Sequence, residues 1–478
     1  MSRADAPTLR LDAVEFFERD VRLRMPFRFG VVTLTEAPQA FVRARIRLAD
    51  GRTGWGVAAE LLAPKWFDKD PTLTNEQNFE QLREALRIAA SLYREIDEPL
   101  SAFGLHAAGY HEQIRRCAAR DLNPLTAGFG TALLDRAVID ALGRLLGLSA
   151  YALVRENRLS IDARLTPDLV DFDLGDFLAG TAPRDTIHLR HTVGMADPIS
   201  AADLPAERRV NDGLPETLED YVAAHQLRFF KLKVRGELDA DIERLAAIAG
   251  VLDGIADPYY CTLDGNEQYT DAEAVAALWR RIGATPRLAR LTRSILFVEQ
   301  PIARAHALSQ PIDRLAALVP VEIDESDATL DAFVEARQLG YTGVSSKSCK
   351  GFYRALLNRA RCAKWNTEAG VERFFMSAED LTTQAGIAVQ QDLVLAQLIG
   401  CRHVERNGHH YVHGMRGLPE DEQRRFLVAH PDLYRKGEAA VRLQIEDGQL
   451  RTGSLDVPGL GSAALPDFTA MRPLGSGS

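Results

Sequence analysis

Cysteine is scarce in this chain and unpatterned where it occurs. Cys117, Cys261, Cys349, Cys362 and Cys401 are odd in number and contain no Cys-x-x-Cys spacing. That argues against a disulfide framework or a thiolate zinc site and predicts free thiols in a reducing compartment. Long apolar runs are also missing. No stretch of about 18 hydrophobic residues exists, so no transmembrane helix is expected and no membrane partner. The opening Met1-Ser2-Arg3-Ala4-Asp5-Ala6-Pro7 has no apolar core of a secretory signal, which leaves a cytoplasmic location as the expectation. Positive charge is in deficit: Lys+Arg is 57 against Asp+Glu 67, net −10. With no global positive field, non-specific nucleic-acid binding is not expected. Low-complexity segments and sequence-identical repeats are absent, and Gly475–Ser478 reads as a flexible tail.

What the chain does have is an ordinary globular composition, 46% hydrophobic and 26% charged, over 478 residues. That is enough for one large domain and a smaller one. Val14–Leu23 and Phe41–Leu48 alternate apolar with polar, and Asp50-Gly51 marks a hairpin turn after the second run. Residues 75–145 change to a helical period, with Gly147 as a cap after Ala132–Leu146. Residues 1–150 therefore read as one α+β module. From about 185 strands and helices alternate, which makes 151–414 a second, α/β domain. The polar, proline-punctuated segment 415–478 is expected to return to the first module. Residues 195–216 read as a polar loop at the mouth of the second domain.

Five short strand-like segments in that second domain end in a lysine or a carboxylate. They are Phe230–Val234, Thr262–Asn266, Phe297–Pro301, Val321–Ser326 and Val344–Lys347. Lys233, Asp264, Glu299, Asp324 and Lys347 follow one another at steps of 31, 35, 25 and 23 residues. Each step suits one strand plus a crossover helix. Parallel β/α barrels carry their chemistry at the carboxyl ends of the strands. Thr186–His191 is expected as the first barrel strand, Arg373–Ser377 as the seventh and Cys401–Glu405 as the eighth. Three carboxylates, Asp264, Glu299 and Asp324, then converge with no His or Cys among them, a donor set that suits a hard cation such as Mg²⁺. Of the pair Asp324-Glu325, strand alternation turns one inward and the other out; Asp324 is taken as the ligand and Glu325 as its neighbour.

Lys231 and Lys233 are two apart and share a strand face. Lys347 approaches from across the barrel. A cation and neighbouring ammonium groups disfavour a protonated lysine, so such lysines are candidate bases near neutral pH. Lysines on both faces of one carbon could remove a proton from one side and return it to the other. Lys350, off-phase from Lys347, is expected in a loop or at the surface.

At these residues the chain resembles the enolase superfamily. The resemblance rests on Lys-x-Lys at 231–233, Asp-Gly-Asn at 264–266, Glu-Gln-Pro at 299–301, Asp-Glu-Ser at 324–326 and Lys-x-x-Lys-Gly at 347–351. Ala141–Leu148 resembles the helix that ends that family's capping domain, and Pro26–Gly30 its mobile N-terminal loop. The resemblance spans most of residues 10–415. It implies an α+β capping domain over a modified (β/α)7β barrel, with Mg²⁺ bound by Asp264, Glu299 and Asp324. It also implies abstraction of a proton α to a carboxylate by a Lys or His base, with Mg²⁺ stabilising the resulting ene-diolate. Catalysis would fall to Lys233 and Lys347, with Lys231 beside them. Substrate contacts would fall to Asn266, Glu325, Arg28, Glu405 and Asn407, and Phe29, Trp55 and Trp66 lie in the matching regions.

Lysines on strands two and six follow the muconate-lactonizing subgroup, which includes cycloisomerases, o-succinylbenzoate synthases and dipeptide epimerases. Phe374–Ser377 offers no histidine of the mandelate-racemase-like dehydratase pattern. Three features depart from the subgroup. Gly351-Phe352-Tyr353 lacks the usual second glycine, the capping domain carries a helical insertion over about 65–125, and Glu405–His410 is not the Asp-x-Asp clamp of dipeptide epimerases. The pair His409-His410 reads as a strand-end turn with satisfied side chains, because adjacent histidines point apart and no third zinc ligand is evident.

The expected activity is thus a Mg²⁺-dependent isomerase or lyase acting on a small carboxylic acid, by racemisation or epimerisation, cycloisomerisation or β-elimination. A metal-dependent hydrolase on a similar barrel is the first alternative, although such sites draw on histidines and His188 and His191 are three apart. A non-catalytic binding barrel is the second. Relatives in the superfamily often form dimers or octamers, which makes a homo-oligomer the expectation.

Overall fold

A computed structural model describes residues 6–29 and 32–475. Its first layer is an antiparallel sheet of β1 (Leu9–Phe29), β2 (Val32–Leu48) and β3 (Thr53–Leu61), with the turn at Asp50-Gly51 between the last two. Of the segment Pro26–Gly30, Gly30 lies outside the described residues, and Pro26–Phe29 belongs to β1. Two helices pack on this sheet, α1 (Asn75–Glu95) and α3 (Pro124–Leu146), and α2 (Ala102–Ala118) packs against both of them. Each start has a side-chain cap that satisfies an orphan amide: Thr74 with Gln77, Ser101 and Asn123. Gly147 ends α3 with a φ of 66°. The sheet and α3 touch closely because Gly56 has no side chain; a Cβ there would stand 2.2 Å from the carbonyl oxygen of Ala137.

The second layer is one curled sheet. Its parallel strands are β4 (Thr186–Val193), β5 (Phe229–Lys233), β6 (Tyr260–Asp264), β7 (Ile295–Glu299), β8 (Val321–Ile323), β9 (Gly343–Ser346), β10 (Phe375–Ala378) and β11 (His403–Arg406). Neighbours run β10-β9-β8-β7-β6-β5-β4-β11, an α/β barrel order in which sequence-consecutive strands lie side by side. Alternation sends Phe230, Leu232, Leu263, Val298, Val321, Ile323 and Val344 into the apolar core, while lysines and carboxylates share the opposite face.

The C-terminal segment divides between the layers. After the hairpin β12 (Tyr434–Lys436) and β13 (Val441–Leu443), β14 (Gln449–Arg451) pairs antiparallel with β4. β15 (Arg472–Pro473) then pairs with β1 of the first layer. All five cysteines are buried and free. No helix among the described residues is long and apolar enough to cross a membrane. The 195–216 segment consists of short turns, tied to the first layer where Arg24 grips both carboxylate oxygens of Asp212 at 2.7 Å.

Candidate active site

Strand register builds the site. Lys233 pairs with Asp264, Asp264 with Glu299 and Glu299 with Glu322, so one level of the sheet carries four ionisable side chains in a row. Two residues further along the same face come Asp324 and Ser345, and two beyond Ser345 comes Lys347. All of these are buried.

Lys231 is the centre of the lower level. Its Nζ lies 2.9 Å from Asp264, 2.7 Å from Glu299, 2.8 Å from Glu379 and 3.1 Å from Glu405. Burial opposes its charge, but Asp264, Glu299, Glu379 and Glu405 outweigh burial and hold Lys231 firmly protonated. Arg190 adds a second cation by pairing with Glu379. Burial would raise the carboxyl of Glu379, yet Arg190 and Lys231 keep it well below the ordinary range. Burial raises Glu299, helped by Asp264 and Glu379, and burial beside Glu379 raises Glu322.

The upper level faces a small cavity of about 30 Å³. Lys231, Lys233, Lys347, Asp264 and Asp324 line it, with Asn266, Glu405 and Asn407 at the polar side and Phe27, Leu34, Trp66 and Leu381 at the apolar side. Lys233 pairs with Asp264, and Lys347 reaches Asp324 at 2.5 Å. Lys347 also packs its Nζ 5.0 Å from the centre of the Trp66 ring. Burial and Lys231 push Lys347 down, but Asp324 prevails and raises it. Asp324 is correspondingly held low by Lys347 and Lys350 against the effect of burial.

Most of the expected residues meet at this cavity. Asn266 donates its amide to Asp264 at 2.8 Å, and Glu405 accepts from Thr192 at 2.6 Å and from the amide of Asp380 at 2.9 Å. Asn407 donates its amide to Asp380 at 2.8 Å, and its side-chain oxygen has no partner. Glu325 is as buried as Asp324, contrary to the expected in-out alternation. β8 ends at Ile323, so period-two geometry no longer governs 324–325, and Glu325 turns to Asn266 at 3.5 Å and Lys69 at 3.8 Å. Arg28 is not brought in. It is exposed, since alternation along β1 gives the cavity to Phe27 instead. Trp55 stacks on Arg43 and Arg45 at the first sheet, while Trp66 roofs the cavity. Nothing is described of the Phe29 side chain.

Lys350 is not a surface lysine. The turn after β9 folds it inward, where it bonds Ser345 at 3.1 Å and pairs with Asp327 at 3.1 Å and Asp324 at 3.5 Å. Sequence reasoning also passed over Glu379 and Asp380. Both stand directly after β10, as Asp324 follows β8 and Lys347 follows β9. Glu322 was hidden by Asp324, two residues on.

Carboxylates alone, all hard oxygen donors, fit a hard cation such as Mg²⁺. A buried Glu322 oxygen without a hydrogen-bond partner is one open donor. Among the described residues, the group whose ligand atoms already lie within 4.8 Å of one another is Glu299, Glu322 and Glu379, which shares only Glu299 with the expected trio. Asp264 and Asp324 instead lean on Lys233 and Lys347. The histidine pair is partly satisfied: His409 meets His191 at 3.2 Å and His410 meets Asp197 at 3.3 Å, but Nδ1 of each has no partner.

A curled, mostly parallel sheet with lysines and carboxylates at its strand ends, beneath a sheet-and-helix cap, defines a barrel enzyme of the enolase type. Residues 213–464 match the profile described as "Enolase C-terminal domain-like", and the chain belongs to that family. The fold is similar to muconate lactonizing enzyme from Klebsiella pneumoniae (19% identity, TM-score 0.58, covering 95% of this chain and 96% of that one). It is likewise similar to the L-Ala-D/L-Glu epimerase of Bacillus subtilis (15%, 0.56, 95% and 99%). A third similar structure is a dipeptide epimerase from Enterococcus faecalis V583, solved with Mg and the dipeptide L-Leu-L-Tyr (16%, 0.59, 95% and 99%). At these identities the likeness speaks for the fold. Among curated proteins none matches the chain by sequence.

Proposed function

We propose that this enzyme removes a proton α to the carboxylate of a small acid, through an enolate, and belongs to the two-lysine muconate-lactonizing subgroup. The observation that carries the reading is that Lys233 and Lys347, from strands on different sides of the barrel, line the same cavity, each on its own carboxylate. Mg²⁺ held by Asp264, Glu299 and Asp324 would supply a Lewis acid for charge developing on the substrate carboxylate.

The side chains have separable tasks. A lysine that leaves its carboxylate partner loses the interaction that keeps it protonated and becomes a base. The opposite lysine, still paired, is a proton donor. Two such groups on two faces suit racemisation or epimerisation, whereas one base and one acid suit cycloisomerisation or β-elimination. Lys231, held by four acids, positions rather than reacts. Asn266, Asn407 and Glu405 are suited to the substrate's polar end, and Trp66, Phe27 and Leu381 exclude water.

In the same reading the eight strands form a (β/α)7β barrel over 151–414, capped by 1–150 with 415–478 returning to it. The protein is a cytoplasmic homo-oligomer without nucleic-acid or membrane partners.

Proton NMR in D₂O tests this, with pooled dipeptides, N-acyl amino acids, hydroxy acids and cyclohexadiene carboxylates, with Mg²⁺ and again with EDTA. Deuterium at an α-carbon only with Mg²⁺, and lost in Lys233→Ala or Lys347→Ala, is the expected result. Absence of exchange in every pool while calorimetry records Mg²⁺ binding would count against it.

A further inference from the structure

A second cavity, of about 40 Å³, lies behind the wall of the first. Thr382 and Asn407 line the active cavity, and their neighbours Thr383 and Gly408 line this one. The helix Leu218–His225 supplies Tyr221 and His225, the turn after β11 supplies His409, and the β12–β13 hairpin supplies Arg435 and Arg442.

The charges here are unbalanced. Arg435 and Arg442 are directly opposite one another on antiparallel strands, an arrangement that destabilises like charges. Neither arginine has an ion pair or side-chain hydrogen bond among the described residues, and the Nε of each is buried without a partner. No carboxylate lines the cavity. Asp212, in the adjoining 195–216 segment, has both oxygens on Arg24. Arg406 reaches the cavity too but is spent on Asp380 and Asp392. Burial, and then Arg435 and Arg442, push His225 down to about 4, so a neutral imidazole faces the two guanidinium groups. By contrast, every other buried cation described above has a carboxylate against it. Half-buried guanidinium groups without counter-charge are costly unless a ligand supplies one.

We propose that this cavity binds a phosphate-type oxyanion, free or as a monoester, at a site separate from the catalytic one. Two guanidinium forks offer more N–H donors than the two oxygens of a carboxylate can accept, and a phosphate group has oxygens for both forks and for His225.

Isothermal titration of the full-length protein with inorganic phosphate, and separately with glycerol 2-phosphate, tests the proposal. Arg435→Gln and Arg442→Gln are each expected to weaken binding roughly tenfold or more. Arg280→Gln, on the exposed helix Ala272–Gly283, is expected to leave it unchanged. Tighter binding of the ester would identify a phosphorylated organic ligand, and equal or weaker binding the free anion. Absence of saturable binding, or binding undiminished in the double variant, would overturn the site. If the glutamine variants do not fold, wild-type melting decides: phosphate should raise Tm above chloride at equal ionic strength, and no rise refutes the proposal.

Discussion

Lys231 and Lys347 are both buried, at 1% and 3% exposure, yet they stand in opposite situations. Both line the cavity, but Lys231 meets four carboxylates, whereas Lys347 meets Asp324 and the face of Trp66. A lysine shared by four acids has no low-energy way to lose its proton or to move. A lysine held by one acid can exchange that partner for a substrate. The lower level is therefore a strut and the upper level a reagent, although the residue type is the same.

The sharpest way to break this contrast is to remove the two cavity lysines other than Lys231. Lys233→Ala and Lys347→Ala are expected to lose about 10³-fold or more of α-proton exchange, on the scale of general acid–base catalysis, with an unchanged circular dichroism spectrum. Exchange surviving in both variants would mean that the cavity lysines are struts too. Next in size is Lys231→Met. It leaves Asp264, Glu299, Glu379 and Glu405 without their common cation and should lower unfolding free energy by about 3–5 kcal/mol in urea titrations. Lys233→Met should fall short of that by several-fold, because Asp264 keeps Lys231 at 2.9 Å. Equal losses would erase the distinction between levels.

A smaller effect comes from a carboxylate that has one cation and sits away from the cavity. Glu60 on β3 meets Arg136 on α3 at 3.0 Å, and burial lifts its carboxyl to about 7 despite Arg136. The native state then keeps a proton that the unfolded chain releases above its ordinary value near 4.5. Stability from this group accordingly falls as pH rises from there through about 7 and levels off above it. The decline should amount to roughly 1–3 kcal/mol. Glu60→Gln should flatten it when urea midpoints are compared from pH 5 to 8; an unchanged slope would assign the pH dependence elsewhere. Smallest is Arg28→Ala. Exposed and outside the cavity lining, it should alter exchange by less than about twofold, within the range expected for surface substitutions.

Much of the site was readable in the sequence because strand-end chemistry is local. Lys231, Lys233, Asp264, Glu299, Asp324 and Lys347 each follow an apolar strand segment, and spacing alone orders them round a barrel. Glu379 obeys the same rule, standing one residue past the end of β10. Glu325 and Lys350 were different. Their burial depends on where β8 and β9 stop and how the chain turns next, and alternation carries no information beyond a strand's last residue. Arg28 shows the converse: a basic residue in the right segment faces away because one step along β1 exchanges faces.

The sequence by itself determined the strand-end pattern, the alternation that sends lysines and acids to one face, and the helix caps, since these follow from backbone geometry over a few residues. Only the tertiary structure decided which acids share Lys231, which lysines reach the cavity, and that Arg435 and Arg442 meet without a counter-charge. Those outcomes depend on the relative positions of residues as far apart as 231 and 405, and electrostatic partnership is set by distance in space and by burial, neither of which is written in local sequence.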